Sequence, residues 1–525
     1  MEKKTTLDEK LMDECLRAGE INEDNLMTIL RDNKDTEFGK KYGFETINSV
    51  LDYKKNIPLS DYSMVDGYVK KMMRGERNVL TVYPVNGYCH TSATTGAAKF
   101  IPVTDEQLFR YSDRFENYQT RIIEEHGGKR LLLGMFRLYA DSGDTEPKIY
   151  SELAYRYMAR KKLYDTNTYH GGEKLIFWPG ECNVWYIRSW EAILYDDITI
   201  LSSMFMYDML LFFRYLEDNW KNIIDDIKGH IIPRDKKVPE HLREYLLSVR
   251  VDKKRLEAVE KEFEKGFSGI AGRLWKSVRL ASGISSTAFE KEEKALERYI
   301  QGIPRYYFCY CASECYMGAP VYEDDYGYAL IPGHGFFEFL PEGADDDETL
   351  LPGELEVGKR YEIICTNFGG LYRYRMGDIV GIKGFVGESP ILEYSYRKNQ
   401  VINIAGEKMD ARQIETSMKS FEESGVIIEQ YFFSADIDKI PAGYDIAIVL
   451  NEDSPIKDAG KIGKMVDIFL QKNNYDYRDL REMNSLSDPR VNILSRDEYK
   501  EYVRSRGLGK GQAKPVHVEP FASGS

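Results

Sequence analysis

Leu26, Ile29 and Leu30 share the spacing of one helical face, and the chain to about residue 90 reads as a succession of helices. Between about 100 and 300, helical runs alternate with short apolar runs such as 130–136 (RLLLGMF) and 174–178 (KLIFW). That alternation predicts an α/β core. The segment 190–227 has helical periodicity and few breakers, so it predicts a long helix. Its most apolar part, 198–213, is interrupted by Asp208 and is shorter than a membrane span, which favours a buried helix.

From about 306 to 395 the pattern turns to strands. YYFCYCA, GFFEFL, RYEIICT, DIVGIKGF and ILEYSY are short, aromatic or β-branched, and bounded by Gly, Pro or Asp. After Arg397 it changes again. A strand, VINIAG, precedes an amphipathic helix with Ile414, Met418 and Phe421 on its apolar face. Strands near GVIIEQYFF and YDIAIVL follow, then a helix near KMVDIFLQK. This predicts a compact α+β domain of 398–525 after a larger domain of 1–397.

The chain of 525 residues exceeds one ordinary hydrophobic core, in keeping with two domains. Hydrophobic residues make up 42% and charged residues 30%, a globular composition. The net charge is −14 with Lys and Arg dispersed, which argues against a nucleic acid or an anionic membrane as partner. The first residues, MEKKTTLDEKLMDE, are charged where a secretory signal needs an apolar run. Seven cysteines without a regular spacing point to a reducing compartment, hence the cytoplasm.

Residues 91–99 read TSATTGAAK. Hydroxyls and backbone N–H groups donate to phosphate oxygens, Gly permits close approach, and Lys supplies positive charge. The spacing is not GxxxxGK[ST], and read alone the segment is equally a solvated Ser/Thr turn. Three further segments bear on it. Residues 310–314 (YCASE) offer an aromatic ring for a purine and a carboxylate for magnesium beside phosphates; the plainer alternative is a strand end with a surface Glu. Residues 371–378 (LYRYRMGD) place an Asp after a Gly, able to accept two ribose hydroxyls, or else form a tight turn. Residues 397–415 (RKNQVINIAGEKMDARQIE) open the small domain.

In this order and spacing the four segments resemble the adenylate-forming superfamily of acyl-CoA synthetases, luciferases and peptide-synthetase adenylation domains. They resemble one branch more closely, the plant auxin-responsive acyl acid amido synthetases (Gretchen Hagen three type) and their bacterial relatives. TSATTGAAKFIPVT, YCASE, FFEFLP with Glu338, RYEIICTNFGGLYRYRMGDIVGIKGF and RKN at 397–399 carry the resemblance, which runs with gaps from about Phe38 to Lys514. It implies an α/β fold: a large adenylate-forming domain of mixed sheets, helices and a β-barrel-like part, then a small mobile α+β domain.

It also implies roles. Ser92, Thr94, Thr95 and Lys99 contact the ATP phosphates. Gly283, in LASGISS, passes under the adenine, and Tyr310 stacks on it. Ser313 lies near the α-phosphate or the acyl carboxylate, and Glu314 holds Mg2+. Asp378 binds the ribose with Arg397 nearby; Lys408 approaches the phosphate, and Lys514, in GKGQAKP, is the mobile lysine that promotes adenylation. Ala93 departs from the usual Gly of the phosphate motif, and Cys311 stands where Ala or Gly is common.

The chemistry explains why such parts are needed. A carboxylate has no good leaving group until it attacks the α-phosphorus of ATP and displaces pyrophosphate; lysines and magnesium stabilise the charge that builds there. The second step, transfer to an amine or thiol, needs other groups at the same carbonyl, which a small domain on a hinge at Asn399 can supply by rotating. The expected activity is ATP-dependent amide formation between a small carboxylic acid and an amino acid, by a monomer. A thiol acceptor such as coenzyme A, or a non-catalytic adenylate-binding protein, stand as alternatives. The stretch FFEFLP…GLYRYRMGD favours the amide, and Lys99, Glu314, Asp378 and Lys408 together favour catalysis. Cys309, Cys311 and Cys315 lack a fourth ligand at metal-site spacing and read as buried small hydrophobes. The acidic run 345–348 reads as a solvated loop.

Overall fold

In the computed structural model the helix Ala18–Asn33 buries Leu26, Ile29 and Leu30, the face its spacing predicts. The structure describes residues 5–91, 99–111, 117–135, 149–150, 168–170, 173–177, 182–285, 290–346, 348–398, 400–402, 404–407, 409–436 and 439–506. These form two compact units, one of 5–91 with 99–398, the other from residue 400 onward.

The first unit contains three sheets. β1 (Val85–Thr91) and β2 (Lys99–Thr104) form an antiparallel pair, and β4 (Ile149–Tyr150) joins β1 in parallel. β3 (Lys129–Leu132), β5 (Ile198–Phe205), β6 (Leu280–Ile284) and β7 (Arg305–Tyr306) make a parallel sheet in the order β3-β5-β6-β7. The third sheet is antiparallel and holds β8 (Tyr310–Cys311), β9 (Tyr316–Pro320), β10 (Tyr328–Leu330), β11 (Gly335–Pro341), β12 (Arg360–Asn367), β13 (Tyr374–Val386) and β14 (Ser389–Arg397). Its order is β11-β12-β13-β14-β10-β9-β8. Bulges at Glu362/Ile364, Ile379/Val380 and Ile382/Gly384 bend these strands, and the sheet curls without closing.

Edge strand β11 would expose unpaired backbone groups. The helix Ala18–Asn33 engages them at Gly335 and Phe337, and Leu350 pairs with Phe339. Asn22 accepts from the Phe337 N–H at 2.8 Å and donates to the Phe337 carbonyl at 3.0 Å, imitating a neighbouring strand. Asn25 donates to the carbonyls of Pro332 and Gly335. Asn22 and Asn25, polar residues on a largely apolar helix face, thus dock it on the strand edge.

Four expectations change. The segment 198–213 is not one buried helix: residues Ile198–Phe205 are β5, and the helix Met206–Lys228 begins after it. A run apolar on all sides fits a strand buried on both faces as well as a helix, and the β-branched Ile198, Thr199 and Ile200 tip it to strand. The long helix read over 190–227 is accordingly two, Val184–Leu194 and Met206–Lys228, with β5 between them. Asp208, the interrupting charge, accepts the Phe205 N–H at 3.2 Å and so marks the helix start. KLIFW is not a strand; Glu173–Ile176 is a helical turn. The opening helices end at Met73, and β1 begins before residue 90.

The second unit contains β15 (Gln400–Ile402) paired with β16 (Met409–Asp410), and a sheet of β17 (Ile428–Asp436), β18 (Gly443–Leu450) and β19 (Arg490–Ile493). The helix Ala411–Ser424 buries Ile414, Met418 and Phe421. Phe421 meets Phe469 of the helix Ala459–Asn473 edge-on, with ring centroids 5.0 Å apart.

Candidate active site

In parallel α/β sheets ligands bind beyond the carboxyl ends of the strands. Gly283 lies near that end of β6, where Ser282 pairs with Tyr306 of β7. A Cβ on Gly283 would come within 3.0 Å of Met206 Sδ and 3.1 Å of Ser203 Oγ, so Gly283 packs closely against the end of β5 and any side chain there would crowd it. From the same end of β7 the chain runs through Phe308 to Tyr310, where it enters the antiparallel sheet as β8. The fold thus delivers Gly283 and the Tyr310 segment from neighbouring strand ends.

Tyr310 and Asp378 are brought together. The Tyr310 hydroxyl donates to Asp378 Oδ2 at 3.0 Å. Both are buried. The Tyr310 ring is tilted to that of Tyr328 and edge-on to that of Tyr394, at about 6 Å each. Asp378 follows Gly377, whose φ of 79° is the left-handed backbone that glycine supplies. Arg397 of β14 is the register partner of Asp378, so the backbone sets these two opposite each other.

Ser313 and Glu314 lie in the turn between β8 and β9, closed by the Ala312 N–H donating to the Cys315 carbonyl at 2.9 Å. The Glu314 side chain is buried, and among the described residues no hydrogen bond or ion pair engages its carboxylate. Its backbone carbonyl accepts from Asn367 Nδ2 at 2.7 Å. Asn367 Oδ1 in turn accepts the N–H groups of Gly369 and Leu371, both at 3.0 Å. Asn367 is the residue that sequence reasoning missed: its one sequence signal is the Gly pair that follows in NFGG, a turn needing an anchor.

Lys99 opens β2 and is the register partner of Thr91. The Phe100 N–H beside it donates to the Tyr62 hydroxyl at 2.8 Å. Ser92, Thr94, Thr95, Asn399, Lys408 and Lys514 lie outside the described residues.

Glu338, singled out in sequence without a role, pairs with Arg373. Arg373 Nε and Nη2 donate to its two carboxylate oxygens at 3.0 and 2.9 Å. Nη2 also reaches Thr349 Oγ1 at 3.0 Å, and Nη1 donates to the carbonyls of Lys54 and Ile57. All five guanidinium donors are used in a buried site, where an unpaired charge is costly. The pair fixes the loop before β13 and hence the approach to Asp378. Glu362 is held similarly by Arg375, at 3.1 and 2.6 Å, and by Lys398 at 3.3 Å. Burial alone would push the Glu362 carboxyl up; the Arg375 guanidinium and the Lys398 ammonium outweigh it and hold the carboxyl below its usual range. The Lys398 N–H also donates to the Gly377 carbonyl at 2.6 Å, tying the end of this unit to the Asp378 turn.

In the second unit Glu407 is fully buried between β15 and β16. It accepts the N–H groups of Ile404 and Ala405 at 2.7 and 2.8 Å and the Tyr444 hydroxyl at 2.8 Å. Burial raises its carboxyl despite these bonds. Cys311 corrects the reading of the cysteines: six of the seven are buried, but Cys311 is partly exposed.

A parallel sheet feeding a Gly and a Tyr from adjacent strand ends, a curled antiparallel sheet carrying Asp378, and a separate α+β unit are the fold of an adenylate-forming ligase. A solved 2-hydroxyisobutyryl-CoA ligase in complex with 2-HIB-AMP and CoA shares it at a TM-score of 0.50 and 11% identity, over 93% of this chain and 86% of that one. The acyl acid amido synthetase AtGH3.15 in complex with 2,4-DB matches at 0.65 and 20% identity, over 96% of this chain and 92% of that one. The chain belongs to the GH3 family: the GH3 family N-terminal, central and C-terminal domains match residues 8–305, 328–397 and 412–519. Its curated relatives include the indole-3-acetic acid-amido synthetase GH3.8 of Oryza sativa subsp. indica, 25% identical over 95% of this chain and 88% of the relative. Another is the jasmonoyl-L-amino acid synthetase GH3.5 of Oryza sativa subsp. japonica, 26% identical over 96% and 93%.

Proposed function

We propose that this chain is an ATP-dependent acyl acid amido synthetase, joining a small carboxylic acid to an amino acid with release of AMP and pyrophosphate. The observation that carries this reading is the Tyr310–Asp378 hydrogen bond, which joins the proposed adenine and ribose residues in one place. The names of its relatives, which are amido synthetases, support the same activity.

In this reading the adenine lies against Tyr310 near Gly283, and Asp378 accepts the ribose hydroxyls with Arg397 beside it. Ser92, Thr94, Thr95 and Lys99 cradle the phosphates, and Ser313 faces the α-phosphate or acyl carboxylate. The carboxylate of Glu314, which has no hydrogen bond or ion pair among the described residues, would hold a magnesium ion beside the phosphates. When bound, magnesium supplies charge neutralisation at the phosphates. Lys514 and then Lys408 act from the second unit, which turns about Asn399 between the two half-reactions. The enzyme works as a monomer in the cytoplasm; its seven cysteines, odd in number and irregularly spaced, favour a reducing compartment.

The test is a panel of carboxylic acids, scored for pyrophosphate release and AMP formation with each amino acid and with coenzyme A. Turnover that depends on an amino acid is expected. Turnover that depends on coenzyme A would replace the acceptor, and no AMP from any acid would overturn the activity.

A further inference from the structure

The proposed nucleotide residue Tyr310 is flanked by two thiols. The sulfurs of Cys309 and Cys311 lie 3.5 Å apart, and Cys311 is the one partly exposed cysteine of the chain. Residues two apart on a strand share a face, but a regular strand holds them at roughly 6.5 Å between Cα atoms. Here Cys309 precedes β8, and the register shifts beside it: Tyr310 pairs with Gly318 and Cys311 with Tyr316, leaving Met317 of β9 as the extra residue. Phe308, just before Cys309, has a φ of 22°, outside the regions a bulky residue favours. These two irregularities fall where the sulfurs meet. A second thiol pair stands nearby, Cys315 with Cys365. Both are buried, and burial with the adjacent Cys365 thiol pushes Cys315 well up, which keeps it an unreactive thiol.

We propose that Cys309 and Cys311 are a peroxide-sensitive dithiol whose disulfide weakens nucleotide binding at Tyr310. This rests on Tyr310 and Asp378 holding the nucleotide. Cys311, the partly exposed cysteine, attacks one oxygen of hydrogen peroxide as its thiolate. The O–O bond breaks, the departing hydroxide takes up the thiol proton as water, and Cys311 becomes a sulfenic acid. The Cys309 sulfur then attacks the Cys311 sulfur. The S–O bond breaks, and hydroxide leaves with the Cys309 proton as a second water. The two thiols give up two electrons, and the peroxide accepts both. Bonding draws the sulfurs in to about 2.05 Å. The backbone of Tyr310 is the link between them, so the strand must turn there. The ring turns with it and the hydrogen bond to Asp378 is lost.

The experiment treats the full chain with hydrogen peroxide, maps disulfides by peptide mass spectrometry, and measures AMP binding by calorimetry before and after. The expected result is a single peptide linked Cys309 to Cys311 and AMP affinity about tenfold weaker, the cost of one charged hydrogen bond. Dithiothreitol restores both, and Cys311→Ser and Cys311→Ala keep their affinity through the treatment. Absence of the Cys309–Cys311 link overturns the proposal, as does a link with unchanged affinity or an equal loss in the Cys311 variants. A reduced enzyme that binds no AMP overturns the nucleotide reading instead, while the peptide map still decides whether the dithiol closes.

Discussion

The hydroxyl of Tyr310 and the carboxylate of Asp378 meet at 3.0 Å although 68 residues separate them. One residue enters the antiparallel sheet at its edge strand, the other lies on an inner strand, and the curl of the sheet brings them together. An aromatic face and a hydroxyl acceptor held side by side suit a nucleoside.

Asp378→Ala and Lys99→Ala are each expected to lower adenylation at least about tenfold, on the order of 1.4 kcal/mol of transition-state stabilisation. Tyr310→Phe keeps the ring and loses only the bond that orients Asp378, so its loss is expected to be smaller than that of Asp378→Ala. Acid-dependent pyrophosphate exchange measures all three. Wild-type rates in both Asp378→Ala and Lys99→Ala would move the nucleotide elsewhere.

Arg373→Met strands the Glu338 carboxylate in a buried site. Removing one partner of such a pair costs about 3–5 kcal/mol, and urea unfolding should show it. Replacing both residues with apolar ones of similar volume should recover part of the loss. A single variant as stable as the parent would mean that Glu338 finds other partners.

Glu362 gives a pH signature. Its folded-state carboxyl titrates below the unfolded value, held there by Arg375 and Lys398 against its burial. The folded state therefore gains stability above the unfolded carboxyl value of about 4.3 and loses it as pH falls through the lower folded value. Glu362→Gln should cost more thermal stability near about pH 7 than near about pH 4. A pH-independent difference would show that the pair adds nothing ionic.

Glu407→Ala would leave two backbone N–H groups and the Tyr444 hydroxyl without their acceptor. Each buried unsatisfied group costs about 1–3 kcal/mol, so calorimetry should show an early transition for the second unit. An unchanged calorimetric trace would show that water replaces the carboxylate.

Asn399→Pro probes the proposed turn between half-reactions. Pyrophosphate exchange and amide formation, measured separately, should fall unequally, because proline fixes the backbone in one state. Equal losses would count against rotation at this residue.

By itself the sequence determined the elements whose pattern is local. The face of Leu26, Ile29 and Leu30 and the helix bearing Ile414, Met418 and Phe421 follow from periodicity, and the strands β11 to β14 from short aromatic or β-branched runs bounded by turn residues. It also marked Tyr310, Glu314 and Asp378 through short motifs whose residue types suit a nucleotide. It misread 198–213, because a run apolar on every side carries no period; β-branched residues at its start favour a strand, and parallel neighbours on both sides complete it. Tertiary structure alone decided that Asn367 would hold the Glu314 turn, that Arg373 would answer Glu338, and that the sulfurs of Cys309 and Cys311 would lie 3.5 Å apart. Those relationships join residues by hydrogen bonds and burial across the chain, and neither leaves a trace in the spacing of neighbours along it.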